Sequence, residues 1–295
     1  MNKIFSTILF TSTLALMCSC STPQVREEDK DKRETDIDPE GMKLMSFNVR
    51  YQNTSDTGER AWSNRLMGVS TMMKEERPMV MGVQECLKSQ LDGILGMRPE
   101  YASIGVGRED GKEKGEMMAI LYLKDAVSIV DWGTYWLSET PDTPSKGWDA
   151  ACYRTATWAR VRVKSSGKEF LYTDTHLDHK GSVARSESMK LIESRMKALA
   201  GNDIPMVLTA DFNSMQSDAI FNGIYRFMSN VRATAPITDN KPTYNAFGDK
   251  NGSIIDHIFI SDKFKPLKYR TVDSKWNGVD YISDHCPIYT ILQFE

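Results

Sequence analysis

The sequence predicts an α/β or α+β domain built from layered β-sheets and helices. Short apolar runs recur along the chain, and several are almost continuously apolar, which is typical of strands covered on both faces. The predicted strands outnumber the helices and do not alternate strictly with them, so we expect antiparallel pairing. The strand segments are Lys43–Val49, Met79–Val83, Met117–Leu123, Thr157–Val163, Glu169–Thr175, Met206–Ala210, Ile254–Ser261 and Ile288–Phe294.

Two segments carry apolar residues at helical spacing and predict amphipathic helices. The first, Trp62–Glu76, stops before Pro78, as helices tend to do because the residue before proline disfavours the helical conformation. The second, Ala184–Ala200, is followed by Gly201, the residue type most common just past a helix end. No second domain boundary follows residue 41.

The start of the chain predicts a lipoprotein signal peptide over residues 1–19. Lys3 gives a positive start, and Ile4–Met17 is an apolar run too short for a comfortable transmembrane helix. Cys20 follows the small residue Ser19, as at a bacterial lipoprotein cleavage site, so we expect Cys20 to be lipidated. The protein would then be tethered in the cell envelope, periplasmic or surface-exposed, without spanning the bilayer. Simple secretion with cleavage nearby is the alternative.

Residues 20–40 predict a charged linker, and residues 41–295 predict the folded domain. The linker holds four basic and eight acidic side chains and almost nothing apolar, so it cannot bury enough surface to fold. Residues 41–295 carry equal numbers of basic and acidic side chains. This balance does not indicate a broad basic face for long nucleic acid, and it fits a small phosphorylated substrate, or a short contact with a longer one, better. With no sequence signal for oligomerisation, we expect a monomer.

The cysteines indicate neither a disulfide framework nor a zinc site. Cys86, Cys152 and Cys286 remain after the signal segment, and three residues at this spacing allow at most one disulfide. We expect them to be buried free thiols.

Six apolar segments end abruptly in carboxylate, amide or imidazole side chains. One such ending is usually a turn or a helix cap. Six in one chain are hard to explain as turns, and if the strands lie side by side their ends converge on one rim of the sheets. The endings are Asn48, Gln84-Glu85, His176-Leu177-Asp178-His179, Asp211-Phe212-Asn213, Asp256-His257 and Asp284-His285.

Carboxylates packed together in this way repel one another and raise one another's pKa values. A bound cation resolves the repulsion, and ligands that are carboxylate and amide oxygens favour Mg²⁺ or Mn²⁺ over zinc. The chemistry indicated is metal-assisted attack of water on a phosphoester.

Six motifs carry a family resemblance, and they span residues 45–287 in the family's order. They resemble the motif series of the endonuclease/exonuclease/phosphatase superfamily, the DNase I-like proteins, here in a secreted lipoprotein member. The resemblance implies a four-layer α/β/β/α sandwich of two mainly antiparallel mixed sheets flanked by helices. The motifs are Met45-Ser46-Phe47-Asn48-Val49-Arg50, Gln84-Glu85, Thr175-His176-Leu177-Asp178, Ala210-Asp211-Phe212-Asn213, Ile255-Asp256-His257 and Ser283-Asp284-His285-Cys286-Pro287.

The resemblance also implies catalytic roles. His285 would be the general base or proton relay, held by Asp256, and a carboxylate partner would fix its tautomer. Asp211 would orient or activate the attacking water. Asn213 and His176 would donate hydrogen bonds to the phosphoryl oxygens as charge develops.

The remaining implied roles concern the metal and the substrate. Glu85 would be the principal ligand of Mg²⁺ or Mn²⁺, helped by Asn48 and Asp284. Arg154 and Asp178 would contribute to substrate binding.

Two positions depart from the family pattern, and two histidines are left open. Ala210 stands where glycine is usual before Asp-Phe-Asn, and Asp174 stands where asparagine is usual before Thr-His. His179 and His257 neighbour the implied site residues, and a direct role for either is a minority alternative.

The function predicted is that of a metal-dependent phosphoester hydrolase, with a nuclease-like phosphodiesterase preferred. The alternatives are a sphingomyelinase-like or inositol-phosphatase-like hydrolase of a lipid or sugar phosphate, or a catalytically silent phosphate-binding module. The glycine-rich loop Gly105–Glu116 either grips phosphate through Arg108, Lys112 and Lys114 or is a solvated connection between strands. Similarly, Thr54–Trp62 either offers Arg60 and Trp62 for phosphate contact and ring stacking or is a polar lead-in to the helix.

Overall fold

Two six-stranded mixed sheets pack against each other and carry helices on their outer faces, in a computed structural model that describes residues 41–248 and 252–295. The predicted signal peptide, the linker and Cys20 lie outside these residues. The strands are β1 (Met42–Asn48), β2 (Val80–Cys86), β3 (Tyr101–Ile104), β4 (Met117–Leu123), β5 (Val127–Trp136), β6 (Thr155–Val163), β7 (Glu169–His176), β8 (Met206–Asp211), β9 (Met228–Asn230), β10 (Asp256–Ser261), β11 (Phe264–Thr271) and β12 (Ile288–Phe294).

Four α-helices of residues 41–248 and 252–295 complete the layers: α1 (Trp62–Glu76), α2 (Lys88–Met97), α3 (Ser182–Ala200) and α4 (Val231–Thr234). Short 3₁₀ helices occupy Gly58–Arg60, Ala219–Phe221, Ile224–Arg226 and Ala246–Gly248. Within the described part of the chain, no helix combines the length and apolar character needed to cross a membrane.

Each sheet contains one parallel pair of strands among antiparallel ones. The first sheet has the order β11-β12-β1-β2-β4-β3, and the second has the order β5-β6-β7-β8-β10-β9. The parallel pairs are β1 with β2 and β7 with β8. This arrangement confirms the predicted fold class, the α/β/β/α sandwich.

Three apolar layers hold the sandwich together, because successive side chains of a strand point to opposite faces. On β1, Leu44 packs between the two sheets, whereas Met45 and Phe47 pack on the outer face with α1 and α2. The outer face of the second sheet is covered by α3, which contributes Met189 and Ile192 to the third apolar cluster.

A buried polar link joins the two sheets and involves Asp174. Oδ1 of Asp174 accepts hydrogen bonds from Gln84 Nε2 at 2.7 Å and from Thr209 Oγ1 at 2.8 Å. Gly82 lies opposite, and a Cβ atom there would collide with the Asp174 carboxyl group. Tyr172 completes the link, since its hydroxyl accepts from the Gly82 N–H at 2.8 Å and donates to the Met45 carbonyl at 2.7 Å.

Burial raises the pKa of Asp174 well above its ordinary value, although Thr209 and Gln84 lower it. The native state therefore holds a proton on Asp174 at pH values where the unfolded chain has released it. Once the pH exceeds 3.8, the ordinary pKa of an aspartate side chain, the free energy of unfolding of the wild type falls. It continues to fall as the pH rises toward the higher pKa that Asp174 has in the folded protein. Neutral Asp174 carries a hydroxyl group where asparagine would carry an amide NH₂ group, so the two side chains have the same charge.

We predict that Asp174→Asn removes this pH-dependent loss of stability. The free energy of unfolding of the variant should rise relative to wild type as the pH rises above about 4, by up to ~1.4 kcal/mol per pH unit. Urea unfolding of both proteins at each pH measures the difference. The exposed Asp262, mutated to asparagine, is the control and should track wild type. Parallel curves for wild type and Asp174→Asn would show that Asp174 is ionised in the native state.

Candidate functional site

The parallel strand pairs bring the predicted polar strand ends to one edge of the sandwich, here called the polar rim. At the ends of the first pair, Asn48 aligns with Gln84, and at the ends of the second pair, His176 aligns with Asp211. Asp256 begins the antiparallel strand β10 directly opposite Asp211. Antiparallel pairing thus places the start of β10 at the edge where the parallel strands finish.

The segment before β12 reaches the same rim from the other sheet. Ser283 Oγ donates a hydrogen bond to the Asn48 carbonyl at 2.7 Å, which ties this segment to the end of β1. Asp284 and His285 follow directly. All six predicted strand endings therefore lie along the polar rim.

The polar rim surrounds a cavity of about 670 Å³. Seven of the predicted site residues line it: Glu85, Arg154, His176, Asp211, Asn213, Asp284 and His285. The other three predicted residues are buried behind this wall, where they contact lining residues: Asn48, Asp178 and Asp256.

His285 lies between two carboxylates. Its Nδ1 is 2.9 Å from Asp256 Oδ2, and its Nε2 is 3.6 Å from Asp211 Oδ2. Burial opposes the charged imidazolium, but Asp256 and Asp211 outweigh burial and raise the pKa of His285 to about 10. Burial raises the pKa of Asp211, against the opposing charge of His285. The positive charge of this buried group therefore resides on His285, and Asp211 is a carboxylate whose pKa is shifted upward.

Asn213 fixes the ring of His176. Asn213 Nδ2 is 3.0 Å from both His176 Nε2 and the Leu177 carbonyl oxygen. Burial lowers the pKa of His176 well below its ordinary value, so the ring is neutral and accepts the Asn213 hydrogen at Nε2. Both amide hydrogens of Asn213 are thereby engaged, and donation to a phosphoryl oxygen requires one of these bonds to be exchanged.

Glu85 reaches the cavity through an irregularity in β2. The register of β2 with β4 shifts between Val83 and Cys86, and Glu85 has a φ of 57°, a left-handed conformation that costs energy in a residue other than glycine. The Glu85 carboxylate accepts hydrogen bonds from Asn48 Nδ2 at 3.1 Å and from the Tyr51 N–H at 3.2 Å. This irregularity therefore directs the Glu85 carboxylate away from the regular β2–β4 pairing and into the cavity wall.

Glu85 and Asp284 form an oxygen-rich pair at the cavity wall, with Asn48 behind them. Burial and the charge of Glu85 raise the pKa of Asp284, against the opposing effects of His285 and Arg50. Arg50 Nη1 lies 3.6 Å from Asp284 Oδ2. Carboxylate oxygens are ligands that Mg²⁺ and Mn²⁺ prefer, so Glu85 and Asp284 fit such a cation. The Asn48 amide instead donates to Glu85, and its oxygen accepts the Arg50 N–H at 3.0 Å.

Two groups of three described residues bring potential ligand atoms within 4.8 Å of one another: Asp211 with Asp256 and His285, and Cys152 with Asp178 and His179. In the first group, a metal would have to displace the proton that His285 holds between the two carboxylates. In the second group, the Arg154 guanidinium is 3.4 Å from Asp178 and 3.2 Å from His179, and its charge opposes cation binding. The Glu85 and Asp284 pair also has an arginine nearby, Arg50 at 3.6 Å from Asp284, but its two carboxylates line the cavity and are the oxygen ligands that a divalent cation prefers.

Asp178 orients a loop and Arg154, and it does not itself line the cavity. Oδ1 of Asp178 accepts from the N–H groups of Lys180 at 3.0 Å and Gly181 at 2.8 Å, and Oδ2 accepts from Cys152 N–H at 3.2 Å. Its contact with substrate, which the sequence suggested, would thus be indirect, through Arg154.

Several further candidates lie away from the cavity. His257 packs among Phe212, Phe221 and Phe259 on the opposite face of β10, and Trp62 is buried in the outer core. The exposed side chains of Arg60, Lys112 and Lys114 are not part of the cavity lining. These findings favour the structural alternatives for these five positions.

The three cysteines of the described residues are free thiols, as expected, although among them only Cys86 is buried. Cys152 and Cys286 are half-buried.

The cavity is also lined by residues that were not among the predicted site residues: Arg50, Tyr51, Glu116 and Tyr244. For Arg50 the signal was its place in the first motif, two residues after Asn48. Arg50 binds Asp56 through Nε at 2.9 Å, and this bond, despite the cost of burial, raises the pKa of Arg50 above its ordinary value.

Comparison with known proteins identifies the family. The sequence model of the Endonuclease/Exonuclease/phosphatase family matches residues 45–285. A mannosyl-6-phosphatase of Bacteroides thetaiotaomicron VPI-5482 is 35% identical in sequence, with a TM-score of 0.82 over 86% of this chain and 100% of that chain. A protein of the same family from Bacteroides vulgatus is 33% identical, with a TM-score of 0.82 over 86% of this chain and 99% of that chain.

More distant proteins share the fold. The human nocturnin catalytic domain, solved with a bound sulfate anion, is 16% identical, with a TM-score of 0.68 over 86% of this chain and 94% of that chain. The family match covers most of the chain, and two relatives exceed 30% identity over nearly their whole length. The chain therefore belongs to the endonuclease/exonuclease/phosphatase family.

Proposed function

We propose that this protein is a divalent-metal-dependent phosphoester hydrolase and that its substrate is a phosphorylated sugar. The observation that carries the hydrolase proposal is the buried Asp211–His285–Asp256 group, which opens onto the same cavity as Glu85 and Asp284. A binding module would have no need for a proton-transfer group beside an oxygen-rich cation site, so the complete set of residues argues against the silent alternative.

Glu85 and Asp284 would hold Mg²⁺ or Mn²⁺, with Asn48 in support. The cation, when bound, supplies positive charge that polarises the phosphoryl group of the substrate. Asn48 Nδ2 also contacts Asp211 Oδ2 at 3.0 Å, so one amide links the cation ligands to the acid–base group.

Asp211 lines the cavity and would take a proton from the attacking water, because burial raises its pKa and so makes it a stronger base than an ordinary carboxylate. His285, held positively charged by Asp256, stabilises negative charge that develops beside it. Arg154 adds a second positive charge at the cavity wall, and Asn213 keeps the His176 ring in place.

The sugar phosphate is favoured over nucleic acid by two observations. The relative that is 35% identical is described as a mannosyl-6-phosphatase. Residues 41–295 carry no excess of basic residues to neutralise a polynucleotide backbone. The nuclease-like phosphodiesterase preferred from sequence stays a prediction, as does cleavage of an inositol phosphate or a sphingolipid.

We also propose that the enzyme acts in the cell envelope as a lipid-anchored monomer. The apolar run before Cys20 and the charged linker after it support this location.

A substrate panel tests the proposed function. The full-length chain would be assayed with Mg²⁺, with Mn²⁺ and with EDTA on mannose 6-phosphate, p-nitrophenyl phosphate, bis-p-nitrophenyl phosphate, single- and double-stranded DNA, RNA, an inositol polyphosphate and sphingomyelin. We expect metal-dependent phosphate release from the two monoesters, faster from mannose 6-phosphate. Turnover that survives EDTA would contradict metal dependence, and preferential cleavage of DNA or RNA would restore the nuclease-like alternative.

Substitution of the acid–base group tests the assigned chemistry. Asp211→Asn and His285→Ala should each lower kcat by at least ~10²-fold, the usual contribution of a positioned acid–base group. Steady-state kinetics and circular dichroism would be measured on the same samples. Asp262→Asn, in the turn that follows the strand begun by Asp256, is the matched control and should keep wild-type kcat. Folded Asp211→Asn and His285→Ala variants with near-normal kcat would overturn the assignment.

A further inference from the structure

A second ion pair lines the cavity, formed by Arg108 and Glu116. Arg108 Nη1 donates to Glu116 Oε2 at 2.7 Å, and Nη2 donates to Oε1 at 2.8 Å, so the pair is bidentate. The two side chains are only 12% and 13% exposed, although both face the cavity. Neither residue has a place in the chemistry described above.

The fold holds this pair in a fixed position. The Arg108 N–H donates to the Glu116 carbonyl at 3.0 Å, closing the loop between β3 and β4 on itself. Trp136 Nε1, from β5 in the other sheet, donates to the Arg108 carbonyl at 2.6 Å. Gly107 lets the two sides of the loop approach so closely that a Cβ atom there would collide with the Lys114 backbone. Such preorganisation is what a recognition site needs, because little freedom is lost on binding.

The pair lies within electrostatic reach of the reacting group. Burial lowers the pKa of His176, and the positive charges of Arg154 and Arg108 lower it further. Glu85 adds to the effect of burial in raising the pKa of Glu116. A phosphoryl group placed against Glu85, Asp211 and His176 would therefore have the remainder of its ester close to Arg108 and Glu116.

The chemistry of the pair suits a neutral polyol better than a second phosphate. Each Glu116 oxygen accepts one guanidinium hydrogen and keeps further lone-pair capacity, while a hydroxyl group can both donate and accept. The net charge of the pair is zero, so a further phosphate would meet the Glu116 carboxylate without an uncompensated cation. Tyr51 and Tyr244 line the same cavity and offer aromatic surface to the carbon skeleton of a sugar.

We infer that Arg108 and Glu116 form the subsite for the alcohol part of the substrate and recognise neighbouring hydroxyl groups of a sugar phosphate. This inference rests on the proposed function and assigns sugar selectivity to these two residues. If the pair served only to close the loop, its removal would change stability but not the choice between substrates.

The test compares two substrates with different leaving groups. For wild type and variants, kcat/KM would be measured on mannose 6-phosphate, which has ring hydroxyls, and on p-nitrophenyl phosphate, which has none. We expect Glu116→Gln to lower the ratio of the two kcat/KM values at least ~10-fold, the usual effect of losing a hydrogen bond to a charged group. Glu113→Gln, on the same loop with an exposed side chain, is the control and should keep the wild-type ratio.

A second variant guards against misfolding. Glu116→Gln leaves Arg108 without its partner, and breaking a buried ion pair on one side is strongly destabilising. Arg108→Met combined with Glu116→Met removes both charges at similar volume, which is often neutral for stability. This double variant should also show a lower ratio of the two kcat/KM values while keeping a wild-type melting temperature. If Glu116→Gln is unfolded, the double variant alone tests the subsite.

The outcomes separate the two proposals. An unchanged ratio in the folded double variant would overturn the subsite. A wild-type enzyme that cleaves both monoesters without preferring the sugar would also overturn the subsite but leave the proposed hydrolase intact. Absence of activity on both monoesters would overturn the proposed function, and the subsite with it.

Discussion

The crowding of four carboxylates at one edge of the sandwich is the constraint on which the rest of the site depends. Glu85, Asp211, Asp256 and Asp284 come from four different segments and meet there because two parallel strand pairs end at the same place. Desolvated like charges repel one another, so each must be offset by a cation, a hydrogen bond or a proton. His285 offsets two of them.

The backbone at the polar rim is strained, and buried side chains hold it in place. Arg50, Glu85 and Asn213 all have φ values near +50°, where residues other than glycine are uncommon. Such strain persists only where the surroundings over-determine the conformation. Fully buried Arg65 provides part of this support by donating to the carbonyls of Val49, Arg50 and Ile282, which flank two of the proposed cation ligands. Rigidity of this kind keeps the segments that carry Asn48 and Asp284 in place at the polar rim.

Much of the fold could be predicted from sequence because the central strands are apolar and the polar residues begin where those strands end. The missed elements have weaker patterns. Strand β5 is exposed along its middle, β11 contains a proline, and α2 includes Gly93 and Gly96, which lower helix propensity. Helix α1 was predicted with its observed boundaries.

The site was predictable as a set of residues but not as a geometry. Because side chains alternate along β10, Asp256 contacts His285 whereas its neighbour His257 packs among aromatic residues on the opposite face. The two residues belong to the same sequence motif, so the sequence could not distinguish their positions. The pairing of Arg108 with Glu116 depends on how a twelve-residue loop closes, and spacing alone does not determine that closure.

The central claim is that the carboxylates of the polar rim bind a divalent cation, and calorimetric titration of the full-length protein with Mn²⁺ tests it most directly. Wild type should show saturable binding, and Glu85→Gln should bind at least ~10-fold more weakly while remaining folded, since loss of a ligand should weaken affinity at least as much as loss of a supporting contact does. Glu113→Gln should bind as wild type does. Equal affinity in wild type and Glu85→Gln, or no binding by wild type, would contradict the account.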